Sequence, residues 1–339
     1  MSFLYALPTP TVSSFQLGPV VIHFYALFIL AGIIVAVALT AARMKARGME
    51  AGLAIDIAIW AVPFGIIGGR LFHVLTHFND YFGPGRDWTS IFRLWEGGLA
   101  IYGAIIFGSI GAYIACQVDI KALKIESAGI RFLSFADALV PGLLAAQALG
   151  RWGNYFNNEL FGEPTDLPWG ILIPSYNESY PVGLPEGLAF HPTFLYESLW
   201  SLAGIGVLLL LERRFNLRWG RMFALYLMWY SIGRFFIESI RLDPSDVFLG
   251  LRTNQISALV GILVGLTLFM IQRAKHTGEE TTGYLPGRTN RTLEDQSKGL
   301  VEPEDSSSPK AEQQPELNTE ELPEAIKTEV GLTDKPESK

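Results

Sequence analysis

A single cysteine, Cys116, in 339 residues excludes a disulfide framework. Charge is scarce as well: 17% of residues are Asp, Glu, Lys or Arg, against about 25% in ordinary soluble domains. The scarcity is uneven. Residues 1–42 contain none of these four types, whereas residues 276–339 contain 15 acidic and 7 basic residues. Residues 1–275 hold 18 acidic and 19 basic residues, so the formal charge of −7 belongs to the C-terminal stretch alone. The sign and placement of this charge exclude a basic nucleic-acid binder, and no nucleic-acid partner is expected. The length would allow two soluble domains, but such a distribution argues against them.

What the chain has instead is apolar sequence, 50% of its residues. A bilayer-spanning helix needs about 20 mostly apolar residues, and seven such windows recur, near 20–42, 52–77, 97–116, 132–150, 193–211, 220–240 and 254–272. The pattern predicts an all-α polytopic membrane protein with seven transmembrane helices. The first window lacks a cationic leader and is too long for a signal-peptide core, so it is expected to remain as a span. Cys116 reads as a small apolar residue of the third span. Lys and Arg are retained on the cytoplasmic side of short loops. One set of loops carries Arg43, Lys45 and Arg47, then Lys121, Lys124 and Arg131, then Arg213, Arg214, Arg218 and Arg221, then Arg273 and Lys275. The alternate set is poorer, with Arg86 and Arg93, none from 152 to 192, and Arg241 and Arg252 between the sixth and seventh windows. The N-terminus is therefore expected outside and the C-terminus in the cytoplasm.

Two external pieces are predicted: an ordered arm or head over about 152–192, rich in proline and aromatics, and an interfacial segment from Tyr81 to Trp95 carrying Trp88 and Phe92. Residues 1–275 then form the membrane domain. Residues 276–339, rich in Glu, Pro, Ser, Gln and Lys, are expected to be a disordered acidic cytoplasmic tail, solvated and dispensable. No internal repeat is evident, which disfavours an inverted-repeat transporter.

A charged side chain at a helix centre costs about 2.5 to 3.5 kcal/mol on the insertion scale, so each one calls for a reason. In the predicted orientation Tyr25, Tyr102, Glu197, Asn254 and Gln255 fall near the outer ends of inward-running spans. Arg70, Gln147, Arg151, Arg234 and Glu238 fall in the outer parts of outward-running ones. The inner half offers little beyond Asp56 and Asp137, whereas a translocation path would need polar lining throughout. The pattern fits a polar cavity open to the outer leaflet. Along the sixth span Tyr230, Arg234, Glu238 and Arg241 lie within 80° of one another at 100° per residue, forming one stripe.

The run Gly150-Arg151-Trp152-Gly153-Asn154-Tyr155-Phe156-Asn157-Asn158-Glu159-Leu160-Phe161-Gly162 is the densest polar and glycine cluster outside the tail. Its glycines allow close backbone approach or an irregular turn. Two arginines at this depth suit an anion with oxygens that accept forked hydrogen bonds, and in an outer leaflet that anion is a phospholipid phosphate. His73 and His77, four residues apart, have metal-ligand spacing but no evident third ligand, so packing is expected and no metal.

The same run closely resembles the signature of the prolipoprotein diacylglyceryl transferase family, seven-span enzymes of the bacterial inner membrane. Matches follow in order at Phe24-Tyr25, Gly68-Gly69-Arg70, Gly97 to Gly103, His191 to Glu197, Tyr230 to Arg241 and Gln255-Ile256-Ser257, covering about residues 15–272. The resemblance implies transfer of a diacylglyceryl group from phosphatidylglycerol to the lipobox cysteine of a secreted prolipoprotein, forming a thioether and releasing glycerol phosphate, without a cofactor. It implies catalytic roles for Arg151, Arg234, Tyr102 and Glu238. It also implies substrate contacts by Arg151, Asn154, Glu159, Gly162, Tyr25, Arg70, Gly98, Tyr230 and Arg241. Many members have His at the position of Tyr102, and that His has been proposed as the base. With Tyr here, the base is left open between Tyr102, Glu238 and Glu159. A lipid or anionic-solute transporter using the same charges is the alternative from another class.

Overall fold

In a computed structural model, which describes residues 7–94, 97–119 and 126–289, the charge-free stretch becomes helix α1, Phe24–Ala46, entered from a hairpin of β1, Ser14–Leu17, and β2, Val20–His23. Helix α2 spans Leu53–Thr76, followed by the short α3, Phe78–Phe82, and a 3₁₀ turn at Trp88–Phe92. Helices α4, Ile101–Gln117, and α5, Phe132–Asn157, come next. A long excursion holds β3, Ile171–Leu172, paired with β4, Ala189–Phe190. Then come α6, Thr193–Phe215, α7, Arg221–Glu238, a hairpin of β5, Val247–Phe248, and β6, Leu251–Arg252, and finally α8, Thr253–Lys275. The protein is a mostly helical, polytopic membrane protein.

Helices α1, α2, α5, α6 and α8 are each long and apolar enough to cross a bilayer. Helix α4 is apolar but has 17 residues, and α7 has 18 and carries Arg221, Arg234 and Glu238. Both pack on longer neighbours, α4 on α2 and α7 on α8, and α1 packs on α5. Outward-facing positions are apolar: Ile34 is 60% exposed, Ile59 63% and Leu263 62%. Exposure of this kind on α1, α2 and α8 is a cost in water and none in lipid. Between α6 and α7, Trp200 and Trp229 stack with ring centroids 4.3 Å apart. Each indole N–H donates to the other residue's carbonyl, at 3.0 and 3.1 Å, so neither donor is left unsatisfied in an apolar interior.

Three apolar clusters hold the fold. One joins Val140 and Leu144 of α5 to Leu208, Met222 and Tyr226. A second, under the excursion, gathers Phe161, Ile171, Phe190 and Phe194. The third, at the opposite end, contains Met44, Ile57, Ile130, Phe135, Cys116 and Tyr284. Cys116 is fully buried there, in keeping with its apolar reading.

The last cluster corrects the boundary expected at residue 275. Residues 276–289 pack rather than trail. Tyr284 is buried and its hydroxyl accepts the Glu50 amide. The amide of Arg131 donates to the Gly283 carbonyl and that of Leu285 to the Gly129 carbonyl, while Arg288 pairs with Asp119 at 2.7 Å. Aromatic and apolar groups, His276 on Trp219 and Tyr284 in the core, decide this against the polar average of the segment. The expectation for 290–339, and those involving Lys121, Lys124 and Trp95, lie outside the described residues.

The same end is also more polar than expected. Asp137 is fully buried and accepts the amides of Gly220 and Phe223, both at 2.8 Å, which caps the start of α7 from another helix. Arg47 lies 3.8 Å from it, and both Arg43 and Arg47 pair with Glu212.

Candidate active site

The signature run does not break the helix where its glycines stand. Helix α5 continues through Asn157, and the chain turns at Asn158 (φ 51°) and Leu160 (φ 60°), so the excursion starts near 158 rather than 152. Gly153 serves close approach instead: a Cβ there would lie 2.5 Å from the Tyr25 ring, which seats α1 against α5. Arg151, nearly two turns before the helix ends, has the Tyr230 and Tyr25 hydroxyls in its surroundings. Asn154 accepts from Arg151 at 3.4 Å and donates to Glu159 at 2.8 Å, and Asn157 donates to the same carboxylate at 3.2 Å. The turn is thus stitched by its own polar residues. Gly162 forms a bridge with Arg241.

Four arginines and three carboxylates meet here. Glu197, near the start of α6, takes Arg151 Nε at 2.5 Å, Arg234 Nη1 at 3.6 Å and Arg241 Nη1 at 3.4 Å. Glu238, fully buried, takes Arg234 Nη2 at 2.9 Å and Arg252 Nε at 3.1 Å, with Asn254 donating at 3.0 Å. Asp243 takes Arg241 Nε at 2.7 Å. Glu159 adds a fourth carboxylate, reached from Arg151 through Asn154 rather than by an ion pair. Buried carboxylates of this kind make several guanidiniums tolerable in one place, since an unpaired buried charge costs several kcal/mol.

The arginines differ in access. The Arg241 side chain is 3% exposed and spent on three carboxylates, which makes it a support rather than a contact. Arg151, Arg252 and Arg234 are partly open, at 21%, 18% and 17%, but each nitrogen of the Arg252 guanidinium is spent, on Glu238 and on the carbonyls of Arg241 and Asp243, which leaves Arg151 and Arg234 as the candidate contacts. Arg241 also lies beyond the end of α7 at Glu238, so the predicted helical stripe ends one turn early, and the residue reaches the cluster from the following turn.

Two predicted contacts lie elsewhere. Arg70 is buried and donates to the carbonyls of Ser90, Ile91, Gly97 and Gly98, tying α2 to the loop before α4, with its guanidinium over the Tyr81 ring at 5.2 Å. Its hydrogen bonds are taken, and it is not among the arginines around Glu197. Gly98 has φ +73°, and a Cβ would meet Arg70 Nη1 at 2.4 Å, so the position needs glycine for the Arg70 clip. Tyr102 donates to Ser257 Oγ of α8 at 2.8 Å, one helical turn from Asn254, which holds Glu238. His73 and His77 stack with ring centroids 4.3 Å apart. Among the described residues no group of three potential metal ligands occurs.

Sequence reasoning left Arg252 and Asp243 out of the site, and placed Glu197 among the outer polar groups without assigning it a catalytic or substrate role. The signal for Arg252 was present: a cation in a loop expected to be poor in them.

Residues 12–271 match the family profile described as prolipoprotein diacylglyceryl transferase. Among curated relatives, a phosphatidylglycerol–prolipoprotein diacylglyceryl transferase of Leifsonia xyli is 48% identical over 298 residues, 85% of this chain and 86% of the relative. One of the same name from Paenarthrobacter aurescens is 50% identical, covering 81% of this chain and 86% of the relative. A third, from Streptomyces coelicolor, is 45% identical over 81% and 76%. On match length and identity, the chain belongs to the prolipoprotein diacylglyceryl transferase family.

Proposed function

We propose that the protein transfers the diacylglyceryl group of phosphatidylglycerol to the thiol of a lipobox cysteine in a secreted prolipoprotein. The observation that carries this reading is the pair of partly open arginines, Arg151 and Arg234, held on one buried carboxylate, Glu197. In the reaction the sulfur bonds to the glyceryl CH2 next to the phosphate, the carbon–oxygen bond breaks, and the electron pair leaves on glycerol phosphate. Arg151 and Arg234 bind the phosphate and stabilise the charge that grows on the departing oxygen. A well-placed donor of this sort is worth about 10²- to 10³-fold in rate. The same positive field favours the thiolate of a cysteine whose ordinary pKa is about 8.5. Tyr102, Glu238 and Glu159 remain the candidate bases. Tyr25, Tyr230, Asn154 and Gly162 shape the pocket; Arg70 and Gly98 act on it through the loop before α4.

In this reading all seven long helices cross the inner membrane of a bacterium, the N-terminus lies outside and the site faces the outer leaflet. Cysteines placed singly at Glu186 and Arg273 are then labelled from opposite sides of intact spheroplasts; labelling from one side contradicts the orientation. The function is tested by transfer from phosphatidylglycerol to a lipobox peptide. Arg151→Ala and Arg234→Ala each lower kcat at least 100-fold, and wild-type turnover in either removes the phosphate clamp. Undiminished turnover in Tyr102→Phe removes that hydroxyl from the chemistry. Nothing in the relatives' names supports transport, and the polar clusters at the two ends are separated by the apolar Val140–Leu144 layer of α5.

A further inference from the structure

Where α1 and α6 end, opposite the Glu197 cluster, lies a cavity of about 290 Å³ lined by Arg43, Arg47, Glu212, Arg213, Asn216 and Arg218. Asp137 and Arg151, 14 residues apart on α5, put about 21 Å between the two ends at the helical rise of 1.5 Å. Four guanidiniums face a single carboxylate in the cavity wall. Glu212 takes Arg43 at 2.8 Å and Arg47 at 2.5 Å. Two further acids touch the lining from behind, Asp137 near Arg47 and Glu279 on Asn216. Asp137 is already committed to the α7 amides, and the count of cations still exceeds that of anions.

Donors are left over. The Arg47 side chain is 5% exposed, yet its Nε, like that of Arg43, is buried without a hydrogen-bond partner. An unmade bond at a buried charged donor costs about 1 to 3 kcal/mol or more, so such groups are normally filled. Arg213 is exposed and has no hydrogen bond or ion pair among the described residues, and Arg218 donates to Asn216 at 3.3 Å. The cavity also adjoins lipid-facing surface. Leu39, four residues before Arg43, is 37% exposed, and Leu210, three before Arg213, is 66% exposed. Residues three or four apart share a helix face, so each arginine stands one turn beyond an exposed leucine.

We propose that this cavity is a second phosphate site, occupied by the headgroup of an anionic phospholipid whose chains run along Leu39 and Leu210. Guanidiniums fork onto phosphate oxygens, and basic pockets between membrane helices suit such headgroups. The site is separate from the transfer reaction and does not depend on its assignment.

The test is native mass spectrometry of the full chain released from detergent, titrated with phosphatidylglycerol or phosphatidylcholine, for wild type and R213Q/R218Q. The wild type is expected to retain one more phosphatidylglycerol than the double variant. Apparent affinity for that lipid falls about 30-fold in the variant, from about 1 kcal/mol per interfacial cation, while phosphatidylcholine binding is unchanged. Transfer activity stays within twofold of wild type. R213K/R218K restores the retained lipid. Should the double variant melt early, R213Q alone, at an exposed position, carries the same comparison. Equal phosphatidylglycerol retention in wild type and variant overturns the site. Displacement of the retained lipid by millimolar inorganic phosphate means the cavity takes the free anion and overturns the lipid assignment.

Discussion

Glu197 contacts three arginines, Arg151, Arg234 and Arg241, from one carboxylate that is 8% exposed. It is the fixed negative charge against which the two open arginines are aimed. Glu197→Gln keeps the shape and removes that charge, leaving guanidiniums to repel one another. Loss of one partner of a buried pair costs about 3 to 5 kcal/mol. The expected outcome is a thermal midpoint lowered by several degrees in detergent and a kcat that falls more than KM rises. An unchanged midpoint contradicts the role. At this scale the sequence was readable where a charge interrupts an apolar window. Arg151, Arg234 and Glu238 stand out for that reason. Arg252 and Asp243 sit in a connecting loop, where charge is ordinary, and their part depends on the β5–β6 hairpin bringing them back to Glu238 and Arg241. Arg70 shows the converse: its depth was legible, but only the loop of carbonyls around it reveals that its donors are occupied.

Helix α7 is the element whose place depends most on others. It has 18 residues, carries Arg234 and Glu238, and begins at Arg221 with its amides capped by Asp137 of α5. Asp137→Ala leaves two buried amides at a helix start without an acceptor, each worth about 1 to 3 kcal/mol. The midpoint of thermal unfolding should drop accordingly, with Asp137→Asn milder because one acceptor survives; equal midpoints for both variants and wild type refute the cap. Hydropathy windows located all seven long helices to within a few residues except at the end of α5. There the polar signature suggested a break, whereas Asn154, Asn157 and Glu159 bond to one another and carry the helix seven residues further.

For the molecule as a whole, residues 276–289 bind three connections together: that between α1 and α2 through Glu50, that between α4 and α5 through Gly129 and Arg131, and that between α6 and α7 through Trp219. Composition spoke for a solvated extension, because averages over 64 residues hide one buried tyrosine. Ending the chain after Lys275 is therefore expected to lower the thermal midpoint, and ending it after Thr289 to preserve it. Tyr284→Ala in the full chain costs about 3 kcal/mol; an unaltered midpoint in that variant would sink the strap. The outermost tie has a defined acid limit. The Asp119 carboxylate is held below the usual range near 3.8, first by the Ser127 amide and hydroxyl and then by Arg288. A lowered pKa means the contact is present above the ordinary value and is lost as pH falls through the lowered one. Protease access to the Arg288 bond should stay constant from pH 8 to about 4 and rise below that; a rise beginning near pH 6 would contradict it.

The paired indoles of Trp200 and Trp229 bear on the reaction through register. Trp200 lies three residues from Glu197 and Trp229 five from Arg234, so the two stacked rings index the helices that carry the opposed charges. Sliding α6 along α7 by a single residue would break both reciprocal hydrogen bonds at once. Rings this close are coupled chromophores, and their shared near-ultraviolet dichroism serves as an optical gauge of whether the clamp is set.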